Sequence, residues 1–101
     1  MIKTTSKGSR WELKVKKKLE GLGYSVEKAV NIPFKKTHDF FNCADLIASN
    51  TITFMLVAVT SKHNISRARR KLKEFTNHPY FIRKVVYFYD KKGNLESEEV
   101  N

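Results

Sequence analysis

The feature that most constrains the fold is an apolar run near the middle of the chain, Thr51–Thr60, which reads TITFMLVAVT. Hydrophobic side chains occupy both alternating sets of positions in this run, one of them beginning at Ile52, so a strand here would be apolar on both faces. Such a strand belongs in the interior of a sheet whose two faces are covered by helices. The run therefore predicts an α/β domain with this segment as its central strand.

One of the covering helices is predicted from about Ser9 to Gly21. Ser9 is a candidate N-cap, and Glu12 follows three residues later, as in a capping box. The apolar stripe of this helix has the spacing i, i+4, i+8 and i+11, at Trp11, Val15, Leu19 and Leu22. Four lysines, Lys14, Lys16, Lys17 and Lys18, lie outside this stripe, so the opposite face is expected to be solvated.

A second helix is predicted over ISRARRKLKEF, Ile65 to Phe75, with Asn64 or Ser66 as its cap. Its apolar residues recur at i, i+3, i+7 and i+10, which is a helical period. The outer face is strongly basic and carries Arg67, Arg69, Arg70, Lys71 and Lys73. This face could be merely solvated, but opposing phosphates would relieve the repulsion among five neighbouring cations.

Four further segments have the composition of strands, and two short segments have the composition of turns that join them. A short turn at Ser49-Asn50 precedes the central run, and a KKGN turn precedes a short acidic edge strand. The predicted strands other than the central one are Tyr24–Val30, Ala44–Ala48, Val85–Asp90 and LESEEV. The predicted order is α-β-β-β-α-β, with a final β where the acidic segment pairs. A chain of 101 residues with this order is expected to form one domain.

The charge distribution points to a polyanionic partner. All 20 Lys and Arg lie in the first 92 residues together with only seven acids, whereas the last nine residues add three glutamates, for a net charge of +10. Such an excess is typical of proteins that bind a phosphate backbone. A surface kept basic for solubility, an anionic lipid and an acidic protein are the alternatives.

Several classes of protein do not fit the sequence. No apolar segment approaches the ~20 residues that span a membrane, and the first residues lack the apolar core of a signal peptide, so no membrane partner is expected and the cytoplasm is the expected location. Cys43 is the single cysteine, which excludes an internal disulfide and a zinc site built from several cysteines. No small-molecule cofactor is expected.

The residues that carry chemistry follow a recognisable order. Glu12 lies at the border of the buried face of the first helix, from which its carboxylate could point into a cleft at the sheet edge. Asp45 begins a strand in apolar company, where a carboxylate needs a partner. The central strand then ends in a polar segment that reaches Lys62, and the basic helix follows.

This order resembles the PD-(D/E)XK nuclease superfamily, which includes archaeal Holliday-junction resolvases and small phage endonucleases. The similar segments are GSRWELKVKKKLEGLGY, DFFNCADLIA and ITFMLVAVTSKHNISRARRKLKEF, so the resemblance covers residues 8–75. It implies a restriction-endonuclease-like mixed sheet and a DNA endonuclease that depends on Mg²⁺ or Mn²⁺. It also implies that Glu12 and Asp45 are the first two metal-binding acids, that branched DNA is a substrate, and that the protein is a homodimer.

The sequence departs from that family in its third motif. The family ends the central strand with an acid or Gln, any residue, then Lys, whereas Ala58 and Thr60 occupy those positions here. Lys62 lies two residues beyond Thr60, so in a continuing strand it would point to the same face about 6.6 Å further along. We hypothesise that Lys62 replaces the missing lysine, by orienting the attacking water or by stabilising charge on the phosphate.

These observations leave more than one function open. The leading hypothesis is a metal-dependent DNA endonuclease, and the main alternative is a nuclease-fold DNA-binding protein that has lost turnover. RNA binding or protein binding through the same basic face is a third. Besides the basic helix, the residues expected to contact nucleic acid are Arg10, Lys62 and His63.

Overall fold

A computed structural model describes residues 7–28, 43–76 and 82–100, with the side chains of the first helix described from Arg10 onwards. Within these residues, two helices and five strands follow one another. They are α1 (Lys7–Gly21), β1 (Ser25–Lys28), β2 (Leu46–Ser49), β3 (Phe54–Ser61), α2 (Ile65–Glu74), β4 (Ile82–Tyr89) and β5 (Leu95–Val100), and a 3₁₀ turn (Lys62–Asn64) leads from β3 into α2. Neither described helix is long and apolar enough to cross a membrane.

The five strands form one mixed sheet in sequence order, β1-β2-β3-β4-β5. β3 and β4 are parallel and are joined through α2, whereas the other neighbouring strands are antiparallel. β3 is thus the central strand, as its two apolar faces predicted. The α/β class, the mixed sheet with its flanking helices and the order α-β-β-β-α-β-β are confirmed.

The helices cover opposite faces of this sheet and create two apolar layers. On one face Trp11, Val15 and Leu19 of α1 pack against Val57, Tyr87 and other side chains of the central strands. On the other face Leu72 of α2 packs against Leu56, Ala58 and Val86. Successive residues of β3 enter the two layers alternately, which is the structural consequence of an apolar run without a polar face.

The turn between β2 and β3 is longer than its sequence suggested. Asn50 accepts hydrogen bonds through Oδ1 from the backbone N–H groups of Ile52 and Thr53, at 2.8 and 2.7 Å. β3 consequently begins at Phe54 rather than Thr51. The prediction that Ile52 belongs to the central strand is wrong, and its side chain is 89% exposed in the turn.

α1 differs from its prediction at both ends. It begins at Lys7, so Ser9 lies inside the helix and the predicted capping box at Ser9 and Glu12 is wrong. At the other end Gly23 has a φ of 99°, a conformation that side chains with a Cβ seldom adopt, and the chain turns away there. Leu22 follows the end of the helix and is exposed, so it does not extend the apolar stripe.

The remaining strand predictions agree in position with small shifts. The acidic segment pairs with β4 as an edge strand, β5, after a turn in which Gly93 has a φ of 90°. The predicted strand Ala44–Ala48 is observed as Leu46–Ser49, and the predicted strand Val85–Asp90 as Ile82–Tyr89. The last two residues of the strand predicted at Tyr24–Val30, and the loop predicted around Pro33, lie outside the described residues.

Candidate active site and nucleic-acid interface

Asp45 is fixed against the central strand just before β2 begins. Its backbone N–H donates to the carbonyl of Val57 at 2.8 Å, and its carboxylate Oδ2 accepts from the N–H of Val59 at 2.7 Å. A charge-assisted bond to a backbone donor holds the carboxylate in one orientation. Asp45, the second sequence-predicted acid, therefore lies beside the carboxyl end of β3.

Asp45 lines a cleft of about 320 Å³ between the end of β3 and α2. We call this the Asp45 cleft, and its walls are Cys43, Asp45, Ala58, Val59, Thr60, Asn64, Arg67, Ala68 and Lys71. Ala58 and Thr60 are two residues apart on β3, so both face the cleft. The two altered motif positions thus lie beside Asp45, where Ala58 offers no side-chain ligand and Thr60 no positive charge.

Two cations of α2 line the same cleft. Asn64, Arg67, Ala68 and Lys71 have the spacing i, i+3, i+4 and i+7, so they share one side of the helix. Neither the Arg67 nor the Lys71 side chain forms an ion pair with another described residue. The cleft therefore combines one fixed carboxylate with two cationic side chains.

Glu12 lies at the same end of the sheet but on the face covered by α1. Its Oε1 is 3.6 Å from Nζ of Lys28, and Lys28 pairs across the sheet with Leu46, the residue after Asp45. Glu12 is absent from the walls of the Asp45 cleft. Among residues 7–28, 43–76 and 82–100, no cluster of three or more His, Cys, Asp or Glu could hold a metal ion.

Lys62 does not occupy the place that its proposed role requires. β3 ends at Ser61 and Lys62 begins the 3₁₀ turn, so the assumption that the strand continues through Lys62 is wrong. Its side chain lines a depression with Tyr89 and Asp90 and is not part of the Asp45 cleft. The change of backbone geometry redirects the side chain because the two-residue repeat of a strand no longer applies.

A second basic surface lies at the carboxyl ends of the parallel strands β3 and β4. Two adjoining depressions there share Asp90 and Lys91, one lined also by the turn after β3 and the other by the first turns of α1. We call it the carboxyl-edge surface, and its basic residues are Arg10, Lys14, Lys62, His63 and Lys91. It contains three of the residues predicted to contact nucleic acid.

An aromatic stack supports this surface from below. The rings of Trp11 and Tyr89 are 4.6 Å apart and nearly parallel, and Nζ of Lys14 lies 4.3 Å from the Trp11 ring centre. Both aromatic residues are buried, as expected of core residues rather than of a platform for nucleobases. The stack joins α1 to the end of β4 and so fixes Lys14 relative to Lys91.

Asp90, the acid that lines both depressions, forms hydrogen bonds within its own turn. Asp90 accepts hydrogen bonds from the backbone N–H groups of Lys92 and Asn94 and from the Asn94 side chain. These bonds, first those from Asn94, hold the pKa of Asp90 below its ordinary value, with a smaller contribution from the charge of Lys62. Asp90 consequently shapes the turn and stays ionised at neutral pH.

Two of the other cations of α2, Arg69 and Arg70, are paired with acids. Arg69 donates two hydrogen bonds to Glu98 of β5, at 2.6 and 2.8 Å, which raises the pKa of Arg69 and lowers that of Glu98. Lys73 is near enough to Glu98 to lower its pKa further. Arg70 lies 4.0 Å from Glu74 on its own helix. Arg69 is thus already engaged in a bidentate ion pair, which distinguishes it from Arg67 and Lys71.

Sequence reasoning missed two cations of the carboxyl-edge surface. Lys91 lies two residues after the end of β4, and the carboxyl ends of adjacent parallel strands meet at one edge, so the predicted crossover could have placed it near Lys62. Lys14 lies four residues after Arg10 on one side of α1, which was a visible helical spacing. Asn64 was considered only as a helix cap, whereas it also lines the Asp45 cleft.

Comparison with solved structures identifies a similar fold. A Holliday junction resolvase from the archaeal hyperthermophile Archaeoglobus fulgidus superimposes with a TM-score of 0.66 and 17% sequence identity, covering 93% of this chain and 73% of that one. No protein-family model and no curated protein sequence matches the chain. The likeness shows that the chain has a resolvase-like nuclease fold.

Proposed function

We propose that this protein is a DNA endonuclease that hydrolyses phosphodiester bonds with Mg²⁺ or Mn²⁺ and acts on branched DNA. The observation that carries the proposal is the Asp45 cleft, in which a fixed carboxylate faces two cations of α2 at the end of the central strand. The resolvase-like fold and the net charge of +10 support it.

The cleft offers one carboxylate, which fits a magnesium site that has a single protein ligand. Mg²⁺ keeps several waters and is commonly held by one or two carboxylates together with substrate phosphate oxygens. Asp45 would be the protein ligand in the cleft, and Glu12 lies at the same end of the sheet. When bound, the ion would supply Lewis-acid activation of the phosphate and of a water.

The protein's own residues would bind and orient the DNA. Phosphate contacts fix the position of a duplex without reading its sequence, which suits an enzyme that recognises DNA shape. Arg67 and Lys71 supply such contacts in the Asp45 cleft, and the carboxyl-edge surface supplies them around the end of the sheet. Two copies related by a two-fold axis would present two clefts to two strands.

A second candidate function is DNA binding without cleavage. Ala58 and Thr60 favour it, because both line the Asp45 cleft, where Ala58 offers no side-chain ligand and Thr60 no cation. The position of Lys62 in the 3₁₀ turn favours it as well. A protein of this kind would bind DNA by the same surfaces and leave its backbone intact.

The test is an assay of cleavage and binding with four-way junction, flap and linear duplex DNA. We expect nicking of the branched substrates in Mg²⁺ or Mn²⁺, none in EDTA, and none by Asp45→Asn. The variant is a close match, because an amide oxygen can still accept the hydrogen bond of Val59. Salt-sensitive binding without cleavage of any substrate would establish the second candidate, whereas the absence of salt-sensitive binding would refute both.

A further inference from the structure

We infer that α2 supplies the positive charge that the central strand lacks: Arg67 and Lys71 form a phosphodiester-binding subsite that faces Asp45. This inference rests on the proposed function in taking DNA as the ligand. It replaces the hypothesis for Lys62, and it concerns the place and partners of two residues rather than the general basicity of the helix.

The first support is the position of both residues in the cleft. Arg67 and Lys71 are one helical turn apart on the same side of α2, and together with Ala68 they form the α2 wall of the cleft. The opposite wall is β3, where Thr60 occupies the position of the missing strand lysine. A cation that arrives from α2 can thus serve the same cleft as one that would have pointed from β3.

The second support is the way in which acids divide the cations of α2. Glu98 binds Arg69 through two hydrogen bonds and lies near Lys73, so one negative charge from β5 offsets part of the positive charge on that flank of the helix. Arg67 and Lys71 have no ion-pair partner among the described residues. Two like charges one helical turn apart repel each other, and an anion between them removes that cost.

The third support is the chemistry of the donors. A guanidinium presents a fork of N–H groups that matches two phosphate oxygens, and an ammonium acts as a compact point charge. The Thr60 hydroxyl and the Asn64 amide add neutral donors to the same cleft. With one carboxylate and two cations the described walls carry a net positive charge, so a phosphate beside Asp45 is attracted rather than repelled.

The first test measures how binding of a fluorescent four-way junction depends on salt in EDTA, where no cleavage occurs. The slope of log K against log salt is negative, and each lost phosphate contact decreases its magnitude by about 0.9. We expect this decrease for Arg67→Gln and for Lys71→Gln, and roughly twice as much for the double variant. Lys17→Gln is the control, because Lys17 is an exposed lysine of α1 outside both basic surfaces, and its slope should stay that of the wild type.

The second test locates the phosphate next to Asp45. In EDTA, Asp45→Asn removes a negative charge beside the bound phosphate, so it should tighten binding several-fold. In the Arg67→Gln/Lys71→Gln background the phosphate is no longer held there, and the same change should have little effect. A general surface contact would give the same gain in both backgrounds.

The outcomes separate the inference from the proposed function. Wild-type slopes in both single variants, or an undiminished Asp45→Asn gain in the double variant, would overturn the subsite while leaving DNA binding intact. Absence of salt-dependent binding by the wild type would overturn the proposed function and the subsite together. Circular dichroism melting of each variant confirms that the helix remains folded, which is expected since neither side chain is buried.

Discussion

Lys84 holds the end of α2 against the sheet, and replacing it tests how a buried lysine contributes to this fold. The residue lies on β4 and is only 6% exposed. Its Nζ donates to the carbonyl of Leu72 at 2.8 Å and to that of Phe75 at 3.1 Å. These are carbonyls of the last turn of α2 and its C-cap, which have no partner within the helix.

The change Lys84→Met keeps the length of the side chain and removes the donor. Hydrogen bonds to a charged group contribute about 1.5–3 kcal/mol each in net terms, and a lysine at a helix C-terminus adds a smaller dipole term. Burial of the ammonium opposes these gains, because desolvation of a charge costs several kcal/mol. Since two good hydrogen bonds are lost, we expect the free energy of unfolding to fall by about 2–4 kcal/mol.

The measurement is urea unfolding followed by circular dichroism, with Lys17→Met as the control. Lys17 is exposed on α1, and Lys and Met have similar helix propensities, so its variant should lie within about 0.5 kcal/mol of the wild type. For a domain of this size the loss in Lys84→Met corresponds to a melting temperature lower by roughly 10–25 °C. Equal or greater stability of Lys84→Met would show that desolvation outweighs the two hydrogen bonds.

Three smaller predictions concern the edge strand and the turns. Hydrogen bonds from Arg69 and Arg83 hold the pKa values of Glu98 and Glu99, respectively, below the ordinary value. As the pH falls, the unfolded chain therefore takes up protons before the folded protein does. The urea concentration at the unfolding midpoint should therefore decrease when the pH is lowered below about 4.5. The decrease should be smaller in the Glu98→Gln/Glu99→Gln variant, and an equal decrease would show that these two glutamates are not its cause. Asn50→Ala removes two side-chain acceptor bonds of its turn and should cost about 1–2 kcal/mol in the same assay. Gly93→Ala places a Cβ at a φ of 90° and should cost about 1–2 kcal/mol, although open space surrounds the added atom.

Patterns with a fixed period predicted the fold well, because burial on two faces leaves a clear signal. The central strand and both helices follow from apolar spacing, and the acidic edge strand follows from the KKGN turn that precedes it. The start of β3 did not, since Ile52 continues the alternation of the strand. Its exposure results from the side chain of Asn50, which accepts hydrogen bonds from two backbone N–H groups of the turn, so the pairing of β2 with β3 ends at Ser49 and Phe54.

The candidate site was harder to predict, because a side chain at a strand end depends on a single residue of backbone geometry. Lys62 has the right spacing from Thr60 only in a continuing strand, and the 3₁₀ turn removes that relation. Lys84 gave no signal at all, since its burial depends on carbonyls of α2 that are distant in sequence. Asp45 was predictable because an acid in an apolar strand start requires a partner, and that partner is the backbone of β3.

The pairing of the basic helix with the acidic strand explains why charge density alone does not identify a binding residue. The sequence presents five cations between Arg67 and Lys73 as equivalent, and their helical positions differ only by rotation. The fold brings β5 to one flank, where Glu98 binds Arg69, and brings Asp45 and the end of β3 to the other. Glu98 thus offsets part of the positive charge on the flank that lies away from the cleft. Arg67 and Lys71, which form no ion pair with another described residue, lie where a phosphate can reach Asp45, and the proposed variants of these two residues test that arrangement.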